Sequence, residues 1–158
     1  MPKLWLLCSI FIFYLNKCCF GVMNDADVEY ANQRFKECCL KMGMSDQCAE
    51  ACAYNQTEKD IEESFTDGCP MGSLKQLFVC ASNFKNNTDC CERNNLFDDN
   101  RESCRMFCEP QGAFDWPQSI WDVIQFLQCE AIHDRVFQCH LTNANYTKRL
   151  NQSNSNGA

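Results

Sequence analysis

The apolar positions of the chain fall into short runs of helical spacing, separated by glycine, proline and asparagine. From Val28 they recur at Ala31, Phe35, Cys38 or Cys39 and Met42, which predicts an amphipathic helix. Asn24 or Asp25 is placed to cap it and Gly43 to end it. Ser45 heads a second short helix, carrying Cys48 and Cys52 and ending near Asn55. Thr57, with Asp60 three residues on, starts another that runs toward Phe65. Asp67-Gly68 and Pro70 break the chain, and Ser73 opens a helix with Leu74, Leu77, Phe78 and Cys80 along one side. The second half follows the same plan. Thr88 caps a turn holding Cys90-Cys91, Asp98 or Asp99 starts a helix through Cys104 and Cys108, and Glu109 to Pro117 is a loop. Pro117 suits the first position of a long helix with Ile120, Val123, Ile124, Leu127, Ala131 and Val136 at core spacing, broken near His133-Asp134. Strand-type alternation is scarce. The fold class is all-α, a bundle of short helices.

The cysteines change this picture most. Lys3 followed by the apolar run Leu4 to Leu15 has the form of a signal peptide, being too short for the roughly 20 residues that span a bilayer. The alternative is an uncleaved anchor, which the short run and the polar pair Asn16-Lys17 disfavour. Small residues at Cys19 and Gly21 place the cut after Gly21, so residues 1–21 are read as leader, 22–141 as one domain and 142–158 as a disordered polar tail. The cut removes Cys8, Cys18 and Cys19 from a total of 15 and turns an odd count even. Cys38, Cys39, Cys48, Cys52, Cys69, Cys80, Cys90, Cys91, Cys104, Cys108, Cys129 and Cys139 remain. Even, dense cysteines behind a secretory leader imply an oxidising compartment and disulfides. At about 2–4 kcal/mol each, such bridges together outweigh the net stability of an ordinary domain.

Their spacing divides into two sets. The first reads CC, eight residues, C, three, C, sixteen, C, ten, C; the second reads CC, twelve, C, three, C, twenty, C, nine, C. The order is shared and the three-residue gap recurs, so the chain reads as a pseudo-duplicated pair of six-cysteine units, Cys38 to Cys80 and Cys90 to Cys139. Cysteines four apart share one helix face, so their partners lie on neighbouring helices and not on each other. Adjacent cysteines diverge around a helix and can staple it to two neighbours. The pairing within each set stays open at this level.

The run Glu37-Cys38-Cys39-Leu40 through Gly43 to Cys48 and Cys52, then Cys80-Ala81-Ser82 ahead of Cys90-Cys91, then Cys104 and Cys108, resembles the DB module. That is a twelve-cysteine extracellular domain found largely in roundworm proteins, alone behind a signal peptide or beside immunoglobulin-like domains. The resemblance covers about Phe35 to Leu141 and implies secretion and six bridges. It implies no established activity. Two departures, the long gap from Cys91 to Cys104 and Asn94-Asn95 where a glycine-bearing turn is expected, bear on loop geometry and not on the scaffold.

Candidate chemistry is thin. His133-Asp134 invites comparison with secreted phospholipases, but Cys129 stands alone before it and no glycine-rich calcium loop is present. A helix-surface His-Asp pair is far commoner. Zinc held by cysteine with His133 or His140 would need reduced thiols, against the compartment argument. An even cysteine count leaves no free thiol nucleophile, and no serine elbow or phosphate loop is found. No catalytic, metal or cofactor residues are assigned, and the chain is read as no enzyme. Sequons at Asn55, Asn86, Asn145 and Asn151 fall at helix ends or in the tail and are candidate N-glycosylation sites. The loop Phe114-Asp115-Trp116-Pro117 and the following Trp121 could form a binding hot spot or a staple onto the bundle. The staple is preferred, because tryptophan rings are usually mostly buried.

Formal charge is −7, with no lysine or arginine block, which disfavours nucleic acid and anionic membrane surfaces as partners. Function is read as a non-enzymatic interaction module or ligand, secreted and without a stable membrane anchor, whose partner is an extracellular or cell-surface protein. The alternative is a lipid-binding or phospholipase-like protein using His133 and Asp134.

Overall fold

The computed structural model describes residues 24–98 and 100–144. The proposed leader with its three cysteines, Asp99, Asn145, Asn151 and most of the tail lie outside the described residues. All described secondary structure is helical. The elements are α1 (Asp25–Lys41), α2 (Asp46–Ala49), α3 (Glu58–Thr66), α4 (Ser73–Ala81) and α5 (Thr88–Arg93), then a 3-10 turn (Glu102–Cys104) running into α6 (Arg105–Cys108). The last stretch is α7 (Ile120–Val123), a 3-10 segment (Ile124–Ile132) and α8 (His133–Ala144).

Helix starts follow local chemistry. The Asn24 side chain accepts from the Asp27 N–H, Ser45 from the Cys48 N–H, and Thr57 with Asp60 forms a reciprocal capping box. Each cap satisfies a donor that the first turn leaves unpaired. At the end of α1, Gly43 takes a left-handed φ of 89°, with Gly43 N–H bonded to Leu40 O and Met44 N–H to Cys39 O. The same motif closes α5, where Asn95 at φ 51° bonds to Glu92 O and Leu96 N–H to Cys91 O. Asn95 therefore does the work of the expected glycine, and the departure at Asn94-Asn95 leaves the turn intact.

Six disulfides tie the helices: Cys38–Cys80, Cys39–Cys52, Cys48–Cys69, Cys90–Cys139, Cys91–Cys108 and Cys104–Cys129. Each set closes on itself in one order, first to sixth, second to fourth and third to fifth. Neither Cys48 with Cys52 nor Cys104 with Cys108 is paired internally, and each adjacent pair staples its helix to two different segments. The two halves meet through aromatic rings instead of sulfur. Phe78 of α4 lies 4.7 Å from Phe107 of α6 and 5.5 Å from Phe137 of α8, and Phe137 lies 6.3 Å from both Phe35 and Tyr54.

Several boundaries differ from the sequence expectation. The helix headed by Ser45 ends at Ala49, not near Asn55, so Cys52 lies beyond it. Tertiary bonds draw the chain out there: Tyr54 N–H donates to Asn32 Oδ1 at 2.8 Å and its hydroxyl to Ala81 O at 2.7 Å. Thr88 is the first residue of α5 and not its cap, and its buried hydroxyl finds no hydrogen-bond partner. The helix through Cys104 begins at Glu102, because the Asp98 carboxylate is engaged by the Asn100 N–H and the Arg101 guanidinium. Pro117 precedes the last helical stretch instead of opening it; the Asp122 carboxylate takes the N–H groups of Gln118 and Ser119, each at 2.9 Å. Finally, α8 runs to Ala144, so its last turn takes in the first three residues read as polar tail.

The largest departure is the winding of residues 124–132. An α-helix would put Ile124, Leu127 and Ala131 in the core, but the segment is a 3-10 helix, in which residues three apart stack in columns. One column, Phe126, Cys129 and Ile132, faces the core, anchored by the Cys104–Cys129 bridge. A second, Ile124, Leu127 and Glu130, is turned outward. Ile124 is 57% exposed and Leu127 60%.

Candidate functional site

The outward column forms one wall of a groove. The opposite wall is α3, where Glu58, Ile61, Glu62 and Phe65 sit at positions i, i+3, i+4 and i+7 and so share a face. Met71, just ahead of α4, and Leu74, in its first turn, contribute the floor. The groove holds about 560 Å³ and is mostly apolar, with carboxylates on both walls. A smaller hollow of about 130 Å³ continues inward past Phe78, Phe107 and Phe126 to His133, sharing Ile61 and Leu74 with the groove.

The site carries an excess of negative charge, with Glu58, Glu62 and Glu130 against Lys59. Glu58 of α3 and Glu130 of the 3-10 segment both line the groove, close enough for the charge of one to act on the other. The Glu58 carboxyl is pushed above its ordinary pKa, first by burial and then by the charge of Glu130, with Glu62 and Asp134 adding to it. Lys59 is the cation of the lining, and its Nζ lies 3.4 Å from Glu63 Oε1.

The sequence candidates disperse around this feature. His133 Nδ1 lies 3.2 Å from Asp134 Oδ1, and its ring stacks 4.6 Å from that of Phe137. The His133 side chain is only 11% exposed, and Nε2 is shielded from solvent without a partner. Burial lowers its pKa, against the opposing pull of Asp134. A general base must reach the proton it takes, directly or through one water, and this nitrogen is covered. Trp116 is buried against Phe78 and Phe107 at 5.9 and 5.8 Å, the staple expected of its loop. Trp121, by contrast, is 77% exposed. Asn55 and Asn86 stand on exposed turns just ahead of α3 and α5.

His140 has a role that the sequence did not reveal. It is fully buried; Nε2 donates to Phe107 O at 2.9 Å and Nδ1 accepts from the Asn87 amide at 2.7 Å. Asn87 Oδ1 in turn accepts from Asn143 Nδ2 at 2.8 Å. Burial pushes the His140 pKa down to about 4, which keeps the ring neutral and the tautomer fixed by its two partners. Both ring nitrogens are thus used within the fold. With all twelve cysteines of residues 38–139 in disulfides, no thiolate is present there to join it. Among the described residues, no group of three or more His, Cys, Asp or Glu side chains is arranged to hold a metal ion.

The groove itself was not legible in advance. Its α3 face could have been found from the apolar–acidic alternation after Thr57, but its other wall depends on the 3-10 winding. No helix of the described residues is long and apolar enough to cross a membrane. In comparison with known proteins, the family model described as the DB module matches residues 38–145. No curated protein and no solved structure matches the chain.

Proposed function

The chain belongs to the DB module family, and from that premise we propose that it is a secreted, glycosylated extracellular domain that binds another protein through the groove between α3 and the 3-10 segment. The observation that carries this reading is the uncovered apolar column. The other large apolar side chains of residues 124–132, Phe126 and Ile132, pack on or within the core, whereas Ile124 and Leu127 lie open beside an apolar floor. Contiguous apolar surface rimmed by polar groups is characteristic of interaction sites. Six disulfides support a role outside the cell and hold both walls in place before any partner arrives, which lowers the ordering cost of binding. Asn55 and Asn86 are the proposed glycan acceptors within the described residues, where sugars need exposed turns.

A non-enzymatic role is favoured over the lipase-like one by the covered Nε2 of His133, which is shielded from solvent and from any substrate proton. The test pairs a binding screen against extracellular domains with the variant Leu127→Asp. Because Leu127 points outward, the variant keeps the near-ultraviolet spectrum of the native fold. A partner captured by the native protein is expected to lose at least about tenfold in affinity. Undiminished binding would remove the groove from the interface. Phospholipid hydrolysis by the purified protein, abolished in His133→Ala, would replace the reading altogether.

A further inference from the structure

Resting on the reading that the groove is the binding face, we propose that its occupant is an amphipathic α-helix of a partner protein, carrying lysine or arginine beside its apolar anchors. Length is the first argument. From Ile124 to Glu130 the 3-10 rise of about 2.0 Å per residue gives a wall of roughly 12 Å, and from Glu58 to Phe65 the α rise of about 1.5 Å gives roughly 10 Å. A guest helix with anchors at i, i+3 or i+4, and i+7 spans the same distance. Its apolar stripe would lie on Ile61, Phe65, Leu74 and Leu127.

Charge selects the guest's flanks. The lining carries Glu58 and Glu62 on one wall and Glu130 on the other, against Lys59 alone, whose ammonium already neighbours Glu63. Glu58 and Glu130 share this lining from opposite walls, and the charge of Glu130 adds to burial in disfavouring the ionised form of Glu58. A guest ammonium or guanidinium between them removes that repulsion. A fatty carboxylate or a phospholipid phosphate adds to it, so an anionic lipid is the poorer occupant. A compact apolar ligand would fill the floor but leave Ile124, Leu127 and Trp121 in water. Trp121, Ile124 and Leu127 are spaced by three, so together they offer an extended rim that a helix can cover.

The test uses the full secreted chain and a fluorescein-labelled synthetic helix with leucines at i, i+3, i+4 and i+7 flanked by lysines. Its counterpart carries glutamate in place of each lysine, and dodecanoate and phosphatidylglycerol vesicles serve as anionic lipid probes. By anisotropy, the lysine helix is expected to bind at least about tenfold tighter than the glutamate helix, with the gap narrowing as salt is raised. Leu127→Asp and Glu130→Lys should each weaken it at least about tenfold. Leu40→Asp, on exposed surface of α1, should leave it unchanged. Equal binding of the two helices, or indifference to Leu127→Asp, overturns the proposal. So does binding of the lipid probes, but not the lysine helix, that is lost in Leu127→Asp; that outcome still leaves the groove as the binding face. The groove reading falls separately, when a partner from the screen is indifferent to Leu127→Asp.

Discussion

Replacing Phe137 by alanine is expected to lower the unfolding free energy by about 3–5 kcal/mol, a larger effect than any surface change will produce. Phe137 is almost wholly buried and its ring meets those of Phe35 and Tyr54 from the first half of the chain, Phe78 of α4, and His133 and His140 of its own helix. No disulfide joins the two cysteine sets, so contact between them rests on packing, in which this ring and the Phe78–Phe107 pair are central. Truncation leaves a cavity that surrounding side chains, fixed by bridges on both sides, cannot collapse to fill. The bridges nevertheless constrain the unfolded chain, so the variant should fold and melt about 10–20 °C lower. Calorimetry of the oxidised protein checks this, with Trp121→Ala as the exposed control expected within about 0.5 kcal/mol of the native protein. A loss below about 1 kcal/mol for Phe137→Ala would mean that the halves are held together elsewhere.

The second large effect is a dependence on pH carried by His140. Its folded pKa of about 4 lies below the ordinary 6.5, so the folded state binds this proton less readily than the unfolded state. The stabilisation is therefore complete above about pH 6.5, declines as pH falls toward 4, and declines no further below that. A shift of this size corresponds to about 3 kcal/mol. His140→Gln keeps side-chain polarity but does not titrate. Urea unfolding between pH 7 and 4 should show the native protein losing more stability than the variant, by an amount of that order. The remaining titratable groups are common to both proteins, so their contributions cancel in the comparison. At pH 7 the variant should itself be less stable, by about 1–3 kcal/mol, because Phe107 O or the Asn87 amide loses a buried partner. Parallel pH curves would show that His140 ionises as easily in the fold as outside it.

What could be read from the sequence was chemistry that acts locally. Asn24, Ser45 and Thr57 cap because an oxygen two or three residues ahead of a free N–H needs no tertiary help, and Gly43 ends α1 for the same local reason. The division of the cysteines followed from spacing, and so did the exclusion of pairs within one helix turn. Their order of closure did not, because several pairings satisfy the same spacing. The misplaced features depend on distant partners. Cys52 leaves its helix because Tyr54 is bound to Asn32 and Ala81, and Asn87 is unavailable as a conventional cap because its amide and carbonyl serve His140 and Asn143. The residues from Ile124 to Ile132 carry apolar side chains on nearly every turn, so their pattern fits either winding. Choosing the 3-10 form turned Ile124 and Leu127 from core into groove. The proposed site was hidden by that single ambiguity of period.

Non-reducing peptide mapping of the secreted protein, with alkylation before digestion, tests most directly whether its sulfur is spent on two separate, similarly closed frameworks. The expected fragments join Cys38 to Cys80, Cys39 to Cys52, Cys48 to Cys69, Cys90 to Cys139, Cys91 to Cys108 and Cys104 to Cys129, with no alkylated thiol among them. A fragment linking residues 38–80 to residues 90–139, or a labelled cysteine within either set, would contradict the account.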